Sequence, residues 1–256
     1  MAFVAIMLAM GLMAGLAGMG GGDDGVSGEG SSESDKIAGG DGPDTIDGGA
    51  GSDLILGYDG DDVIEGGAGH DWIFALDGDD QVSGSEGNDV VSGGQGADTI
   101  ATGDGDDFVE SAGILDELAL LASIETAENF GDIDFSYDMD QPADEADVID
   151  LGDGDDTIVA GPGDTVIMGA GADELALGDW SVGDEPVVVE DYDEDEDVIT
   201  FAYASSTPAP EIEMTVDPDT GDAELRANGD LFLIVRDAGP NFQAAQIDLR
   251  TYNRAA

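Results

Sequence analysis

From Gly39 onward the chain repeats itself every nine residues. The first unit is Gly39-Gly40-Asp41-Gly42-Pro43-Asp44-Thr45-Ile46-Asp47, and seven more follow without insertion to Glu110. Position 4 is always glycine: Gly42, Gly51, Gly60, Gly69, Gly78, Gly87, Gly96 and Gly105. Position 6 is always aspartate: Asp44, Asp53, Asp62, Asp71, Asp80, Asp89, Asp98 and Asp107. Position 8 is always Ile or Val: Ile46, Ile55, Ile64, Ile73, Val82, Val91, Ile100 and Val109. Position 1 is Gly except at Ala75 and Thr102, and a degenerate unit with Asp35 and Ile37 in phase precedes the array. A unit this short cannot bury its one aliphatic side chain alone. Copies must stack, and the core is built one layer at a time.

Each invariant has a physical role. Glycines adopt φ > 0 freely and leave backbone carbonyls bare toward a ligand. An aspartate at a fixed turn position supplies hard oxygen, which Ca²⁺ prefers. The Ile or Val between two variable residues reads as a very short strand with one side chain inward. The charge balance points the same way. The chain of 256 residues has 61 acidic and 5 basic side chains, a formal net charge of −56. Such a chain repels phosphate backbones and anionic lipid, which argues against nucleic-acid or polybasic membrane roles. Its carboxylates also repel one another until something positive arrives. There is no Cys and a single His, so disulfides, zinc fingers, thiol chemistry and any site needing two histidines are excluded.

The pattern resembles the RTX, or haemolysin-type, calcium-binding repeat family, G-G-x-G-x-D-x-U-x with U a large aliphatic, over residues 39–110. The resemblance implies an all-β fold built on a parallel β-roll. Two nonapeptides make one turn of that roll, and Ca²⁺ sits between successive turns on the same edge. The implied bridging pairs are Asp44/Asp62, Asp53/Asp71, Asp62/Asp80, Asp71/Asp89, Asp80/Asp98 and Asp89/Asp107, with Asp35/Asp53 a further candidate. Backbone carbonyls would complete each shell from Gly40, Gly42, Gly49, Gly51, Gly60, Gly67, Gly69, Gly78, Gly87, Gly94, Gly96, Gly103 and Gly105. Tyr58, Leu76 and Ser85 stand at position 2, where the family has Gly, and are expected to distort their turns.

A two-sheet roll would have unequal outer faces. On the even units the outward residues are Leu54, Leu56, Trp72, Phe74, Val90, Ser92, Phe108 and Glu110. On the odd units they are Thr45, Asp47, Val63, Glu65, Gln81, Ser83, Thr99 and Ala101. An apolar face of this size is expected to be covered, by another part of the chain or by a partner such as polysaccharide, matrix or a second copy meeting the Leu54/Trp72/Phe74 face.

The rest of the chain divides by composition. Residues 1–20 are apolar and Gly/Ala-rich; they match the length of a membrane anchor or signal core, or form an uncleaved terminus, and the residues leave both open. Residues 21–38 read as an acidic Gly/Ser linker carrying the degenerate unit. Residues 111–141 break the period. Ile114–Ala122 reads as a short amphipathic helix and Phe130–Tyr137 as a strand, a candidate cap and cover for Trp72 and Phe74. Residues 142–177 return to the repeat in eroded form, with a one-residue deletion; Asp147/Asp164 and Asp156/Asp173 are candidate calcium pairs. Eight residues from Glu190 to Asp197 include seven carboxylates, read either as a solvated turn or as another divalent-ion clamp. Residues 178–256 read as a small antiparallel β domain with a hairpin at Asn228-Gly229. Four of the five basic residues lie there, Arg226, Arg236, Arg250 and Arg254, available to pair with the acidic roll. The family also implies a type I secretion signal at this end.

No catalytic constellation emerges. His70 stands alone at a variable turn position and reads as an exposed spacer, and H-E-x-x-H and P-loop motifs are absent. The reading is therefore a non-enzymatic, secreted or cell-surface calcium-binding protein with a structural or adhesive role. The alternative is an accessory module of a carbohydrate-acting lyase or epimerase. Calcium is the expected cofactor, about six ions in the main roll and about one to three more.

Overall fold

The computed structural model describes residues 16–18, 27–115, 145–182 and 185–252. The first roll comprises β1 (Leu16–Gly18), β2 (Ser27–Glu29), β3 (Lys36–Ala38), β4 (Thr45–Asp47), β5 (Leu54–Asp59), β6 (Val63–Ala68), β7 (Trp72–Asp77), β8 (Gln81–Glu86), β9 (Val90–Gln95), β10 (Thr99–Asp104) and β11 (Phe108–Glu110). The second repeat region adds β12 (Val148–Asp150), β13 (Thr157–Val159), β14 (Thr165–Ile167) and β15 (Glu174–Gly178). Beyond it lie β16 (Val187–Val189), β17 (Val198–Ala204), β18 (Ile212–Val216), β19 (Ala223–Ala227), β20 (Asp230–Val235), a 3₁₀ turn at Ala244–Gln246, and β21 (Asp248–Tyr252).

Alternate strands join alternate sheets. One sheet runs β1-β3-β5-β7-β9-β11-β13-β15-β17-β21 and is parallel throughout. The other runs β2-β4-β6-β8-β10-β12-β14-β16-β20-β19-β18; its last two pairings are antiparallel. The fold is thus a parallel β-roll ending in an antiparallel sheet edge. The second repeat region stacks directly on the first, with Ile100 opposite Ile149 and Val109 opposite Ile158. The insertion between them leaves the register intact.

The position-8 side chains form a continuous core between the sheets. Ile55, Ile73, Val91, Val109 and Ile158 are fully buried on one side, and Ile64, Ile100, Ile149 and Val166 face them from the other. Toward the C-terminus this core widens. Phe201 and Phe232 meet edge-to-face with centroids 4.9 Å apart, joined by Leu225, Leu233 and Val235. The β19–β20 hairpin turns at Asn228 (φ 54°) and Gly229 (φ 100°), the two left-handed residues that a tight two-residue turn requires. Within the same span β16, β17 and β21 extend the parallel ladder.

The two outer faces differ sharply. Leu54, Leu56, Trp72 and Phe74 are at most 2% exposed, and Val90, Ser92, Phe108 and Glu110 are also buried. Thr45, Asp47, Val63, Glu65, Gln81, Thr99 and Ala101 face solvent. Because the apolar face is already buried within a single chain, it is not free for matrix, polysaccharide or a second copy, which corrects the expectation of docking through Leu54, Trp72 and Phe74. Ala112, Ile114 and Leu115, which leave β11, are buried too. The helix and strand expected in 111–141 lie outside the described residues from 116 on, as does most of the apolar N-terminal stretch.

The three position-2 substitutions do not distort their turns. Tyr58, Leu76 and Ser85 take φ of 81°, 85° and 87°, close to the 92° to 109° of Gly49, Gly67, Gly94 and Gly103 at the same position. Register is kept through them: Tyr58 lies opposite Leu76, and Leu76 opposite Gly94. Tyr58 and Leu76 continue the alternation of Leu54-Leu56 and Trp72-Phe74 along β5 and β7, so Leu76 extends the apolar outer face. Its burial, worth about 1.5–3 kcal/mol, offsets a left-handed cost of about 1–2 kcal/mol.

Candidate metal centre

Each repeat turn delivers its aspartate to the same place. The turn ends at position 6, where the side chain folds inward before the strand begins. In every rung the Oδ1 atom accepts the backbone N–H of the aspartate one rung earlier. On one edge Asp35 donates to Asp53 (2.7 Å), Asp53 to Asp71 (2.8 Å), Asp71 to Asp89 (2.8 Å) and Asp89 to Asp107 (2.7 Å). On the other, Asp44 donates to Asp62 (2.8 Å), Asp62 to Asp80 (2.7 Å) and Asp80 to Asp98 (2.9 Å). The structure thus brings together every aspartate pair read from the first array.

Both ladders run on past the insertion. Asp98 donates to Asp147 and Asp107 to Asp156, each at 2.7 Å across 49 positions of sequence. They continue to Asp164 (3.1 Å from Asp147) and Asp173 (2.8 Å from Asp156), and one reaches Asp197 (3.2 Å from Asp173). The Asp98/Asp147, Asp107/Asp156 and Asp173/Asp197 rungs are not visible as a fixed spacing. The available signal is the D-x-U ending of Asp147-Val148-Ile149 and Asp197-Val198-Ile199.

The second carboxylate oxygen behaves differently. Oδ2 of Asp53, Asp62, Asp71, Asp80, Asp89, Asp156 and Asp173 is buried and has no hydrogen-bond partner. Buried carboxylate oxygens are normally bonded, because an unsatisfied charged group carries a large desolvation cost. In four of these turns the oxygen lies against the first residue: a Cβ added at Gly48, Gly57, Gly66 or Gly84 would come within 2.4–2.8 Å of Oδ2 of Asp53, Asp62, Asp71 or Asp89. Asp164 departs from this: its Oδ2 takes the N–H of Gly161 (2.7 Å) and the hydroxyl of Ser111 (2.9 Å), in the turn shortened by one residue.

Burial pushes these carboxyls far above their usual range, more than the N–H from the previous rung pulls them back. Asp62, Asp107 and Asp173 rise to about 6, Asp71 and Asp80 to about 7, and Asp89 and Asp156 to about 8. Neighbouring carboxylates of the same ladder add to the rise, as Asp71 and Asp107 do at Asp89.

The position-4 glycines stack as tightly as atoms allow. Gly69, Gly87 and Gly105 have φ of 152°, 135° and 139°, and a Cβ on any of them would run into the carbonyl oxygen of the glycine one rung earlier, Gly51, Gly69 and Gly87. The repeated glycine is therefore required twice, by conformation and by space.

A second, outer ladder was not read from the sequence. At position 5 the backbone N–H of one turn donates to the side chain of the turn before: Ser52 to Ser34 (3.1 Å), His70 to Ser52 (3.4 Å) and Asn88 to Nδ1 of His70 (2.7 Å). On the other edge Asp79 donates to Asp61 (3.3 Å) and Ala97 to Asp79 (3.0 Å). His70 is exposed, yet it is a rung of this ladder rather than a bare spacer. The legible signal was the short polar character of Ser52, Asp61, His70, Asp79 and Asp106.

The basic residues lie at the C-terminal end. Arg250 pairs with Glu174 of β15 (3.0 Å) and with Asp248, Arg236 with Asp222 (2.7 Å) and Glu190 (3.8 Å), and Arg226 with Glu224. These exposed pairs contribute little to stability. Arg254 lies outside the described residues. Among the described residues, no three acidic or imidazole side chains converge on one point. A hard cation between two rungs would therefore draw on carboxylate oxygen together with backbone carbonyls of the turns. The bare Oδ2 atoms and the oxygen-only donor set fit Ca²⁺.

The family model for the RTX calcium-binding nonapeptide repeat (4 copies) matches residues 29–63, 56–91, 74–109 and 144–167. None of the curated proteins compared with the chain matches it. Among solved structures the chain is similar to the extracellular lipase LipA from Serratia marcescens at 14% identity and a TM-score of 0.25, over 81% of this chain and 40% of the lipase. It is also similar to the AlgE6R3 subunit of the Azotobacter vinelandii mannuronan C5-epimerase at 17% identity and a TM-score of 0.17, over 89% of this chain and 77% of that one.

Proposed function

Because residues 29–109 and 144–167 match the RTX calcium-binding nonapeptide repeat family, we propose that the chain is a secreted or cell-surface structural module whose roll is completed by calcium. The observation that carries this is the buried Oδ2 atoms without hydrogen-bond partners at Asp53, Asp62, Asp71, Asp80, Asp89, Asp156 and Asp173. Asp53, Asp71, Asp89, Asp107, Asp156 and Asp173 would hold ions along one edge. Asp44, Asp62, Asp80, Asp98, Asp147 and Asp164 would do so along the other, with turn carbonyls completing the shells. Bound Ca²⁺ would supply the positive charge that lets these carboxylates stay ionised while buried.

The chain's own residues do the rest. Position-4 glycines bring successive turns into contact, Oδ1 fixes each rung to the one before, and the Ile/Val column closes the core. Without cation the row opposes stacking, because each bare carboxylate must be desolvated next to others. Binding free energy then becomes folding free energy. Extracellular calcium modules bind at roughly 10⁻⁴ to 10⁻³ M. Such affinities suit a chain that stays unfolded at low internal calcium, passes through a type I exporter, and folds outside.

A calcium titration of the full chain, followed by circular dichroism and calorimetry, tests this. Conversion from coil to β structure at sub-millimolar to millimolar calcium supports the reading. A roll fully formed in chelator at pH 8, or no structure in millimolar calcium, refutes it.

A further inference from the structure

We propose that each aspartate ladder is closed at both ends by a turn that needs no cation, because a backbone N–H of the turn itself satisfies the Oδ2 atom. The inference rests on the reading of the ladder as a calcium-binding row and narrows it. Asp44 and Asp164 leave the set of ion ligands, and Asp35 and Asp197 do not join it.

The first and last ladder aspartates among the described residues share one contact. Oδ2 of Asp35 accepts the N–H of Ser31 (2.7 Å), that of Asp44 the N–H of Gly40 (2.6 Å) and that of Asp197 the N–H of Asp193 (2.7 Å), each from four residues earlier. Asp164, in the shortened turn, accepts the N–H of Gly161 from three residues earlier (2.7 Å). Asp35 and Asp197 end one ladder, and Asp44 and Asp164 end the other. Between these ends lie the bare Oδ2 atoms: Asp53, Asp71, Asp89, Asp156 and Asp173 on the first ladder, Asp62 and Asp80 on the second.

Backbone conformation separates the two kinds of turn. Wherever Oδ2 is bare, the residue four before the aspartate is left-handed. Gly49, Gly67, Ser85, Gly152 and Gly169 on one ladder, and Tyr58 and Leu76 on the other, have φ of 81° to 105°. None of Ser31, Gly40, Gly161 and Asp193 has a positive φ. Gly169 illustrates how its N–H is kept from the aspartate of its own turn. The carboxylate of Asp191 takes it (3.1 Å) together with the N–H of Met168 (2.7 Å), and Asp173 keeps its bare oxygen.

Local sequence does not make this choice. Gly39-Gly40-Asp41-Gly42-Pro43-Asp44 is a full repeat unit, yet neither Gly40 nor Gly42 is left-handed. What differs is the neighbouring rung. At the ladder spacing before Asp44 the sequence has Val26, and Thr165 pairs with Val188, which sets Val187 beside Asp164. An aspartate at either end of this ladder therefore meets a further ladder aspartate on one side only. Asp44 and Asp164 are nonetheless buried, and a buried carboxylate oxygen left unbonded is costly. The amide removes that cost where no second turn is present to share an ion, and spares the strain of a left-handed residue. The chain thereby sets the length of its calcium row, with ions held only at the rungs between the closed turns.

The experiment uses the full chain. Bound calcium is counted by equilibrium dialysis and native mass spectrometry for the wild type, Asp44→Asn and Asp80→Asn. Exchange of the Gly40 amide is followed by NMR in saturating calcium for the wild type and Asp44→Ala, and circular dichroism in calcium verifies each fold. Asparagine keeps an oxygen for the Gly40 N–H while removing the charge, so Asp44→Asn should retain the wild-type count. Asp80→Asn should lose about one ion. In Asp44→Ala the Gly40 amide should exchange about tenfold faster or more. Should Asp44→Ala fail to fold, the count in Asp44→Asn decides alone. If Asp44→Asn loses an ion as Asp80→Asn does, or if Gly40 exchange is unchanged in a folded Asp44→Ala, the closed turn is refuted and the repeat reading stands. If the wild type binds no calcium, or Asp80→Asn retains the full count, both are refuted.

Discussion

The backbone N–H of Asp107 donates to Oδ1 of Asp156 at 2.7 Å, although 49 positions of sequence separate them. Phe108 and Thr157 then pair in register on the adjoining strands β11 and β13. The two repeat regions are therefore adjacent layers of one ladder, and a change in one should be felt in the other. Asp156→Ala removes the acceptor of the Asp107 amide. Hydrogen bonds to charged groups contribute about 1.5–3 kcal/mol. In calcium, amide exchange at Asp107 should accelerate about tenfold or more while residues near β4 change little. Equal acceleration throughout, or none at Asp107, would contradict layer-by-layer coupling.

Asp89 carries a conflict that its substitution should separate. It is fully buried with a bare Oδ2, and burial raises its carboxyl to about 8. Asp89→Asn keeps an oxygen to accept the Asp71 N–H but removes the charge. In chelator at pH 8 the variant roll should be more stable than wild type, by on the order of 1–3 kcal/mol. In saturating calcium the order should reverse, because a ligand has been lost. The β content by circular dichroism in chelator and urea unfolding in calcium read the two signs, and a variant that shifts the same way in both would contradict a metal role.

The same carboxyls set a pH dependence. In the fold without cation their pKa lies above the unfolded value of 3.8, at about 6 for Asp62 and Asp107, about 7 for Asp71 and Asp80, and about 8 for Asp89 and Asp156. The folded state thus prefers the protonated form. This contribution is fully present below about pH 4 and is lost as pH rises through 6 to 8. In chelator, β structure seen by circular dichroism should grow as pH falls from 8 toward 4.5. Calcium needs the ionised form, so its half-saturating concentration should fall as pH rises over the same window.

How far the sequence discloses the structure depends on whether the governing contact is periodic. The Asp53/Asp71 rung and the Ile55/Ile73 column follow from a fixed nine-residue unit, and so does the asymmetry between the Trp72 face and the Gln81 face. Asp107/Asp156 does not, because nothing local states how many residues an excursion spans before the ladder resumes. Asp173/Asp197 is hidden for the same reason. In the C-terminal third, Asn228-Gly229 announces its hairpin through backbone conformation, which is a local property. The parallel pairings of β17 with β15 and β21 have no turn signature, since parallel neighbours are joined by long connections. Asp191 was legible only as one charge in an acidic run. Its anchoring to Met168 and Gly169 depends on where that run is folded back.

Glycine substitutions should divide by space rather than by φ alone. Gly87 and Gly229 both lie in left-handed territory, at 135° and 100°. A Cβ at Gly87 would collide with the carbonyl oxygen of Gly69, whereas a Cβ at Gly229 would meet nothing within 4 Å. Gly229→Ala should therefore cost about 1–2 kcal/mol, the left-handed penalty alone. Gly87→Ala must also force two rungs apart, and should cost on the order of 3–5 kcal/mol. Thermal unfolding in calcium compares them directly, and similar costs would show that the turns have slack.

Position 2 of the repeat offers the opposite test, replacing a strained residue by glycine. Ser85 has φ 87°, is half-buried, and makes a hydrogen bond of 3.1 Å with the hydroxyl of Ser83. Leu76 has φ 85° but is only 5% exposed, in line with Trp72 and Phe74 on the buried outer face. Glycine relieves about 1–2 kcal/mol of conformational cost at either site. At Ser85 little else is lost, so Ser85→Gly should stabilise the roll by about 1 kcal/mol. At Leu76 the same relief is outweighed by lost burial of about 1.5–3 kcal/mol and by the cavity left behind, so Leu76→Gly should destabilise. Opposite signs in denaturant midpoints would establish that the apolar outer face, rather than the turn, selects leucine at this position. If both substitutions stabilised, Leu76 would have no packing role.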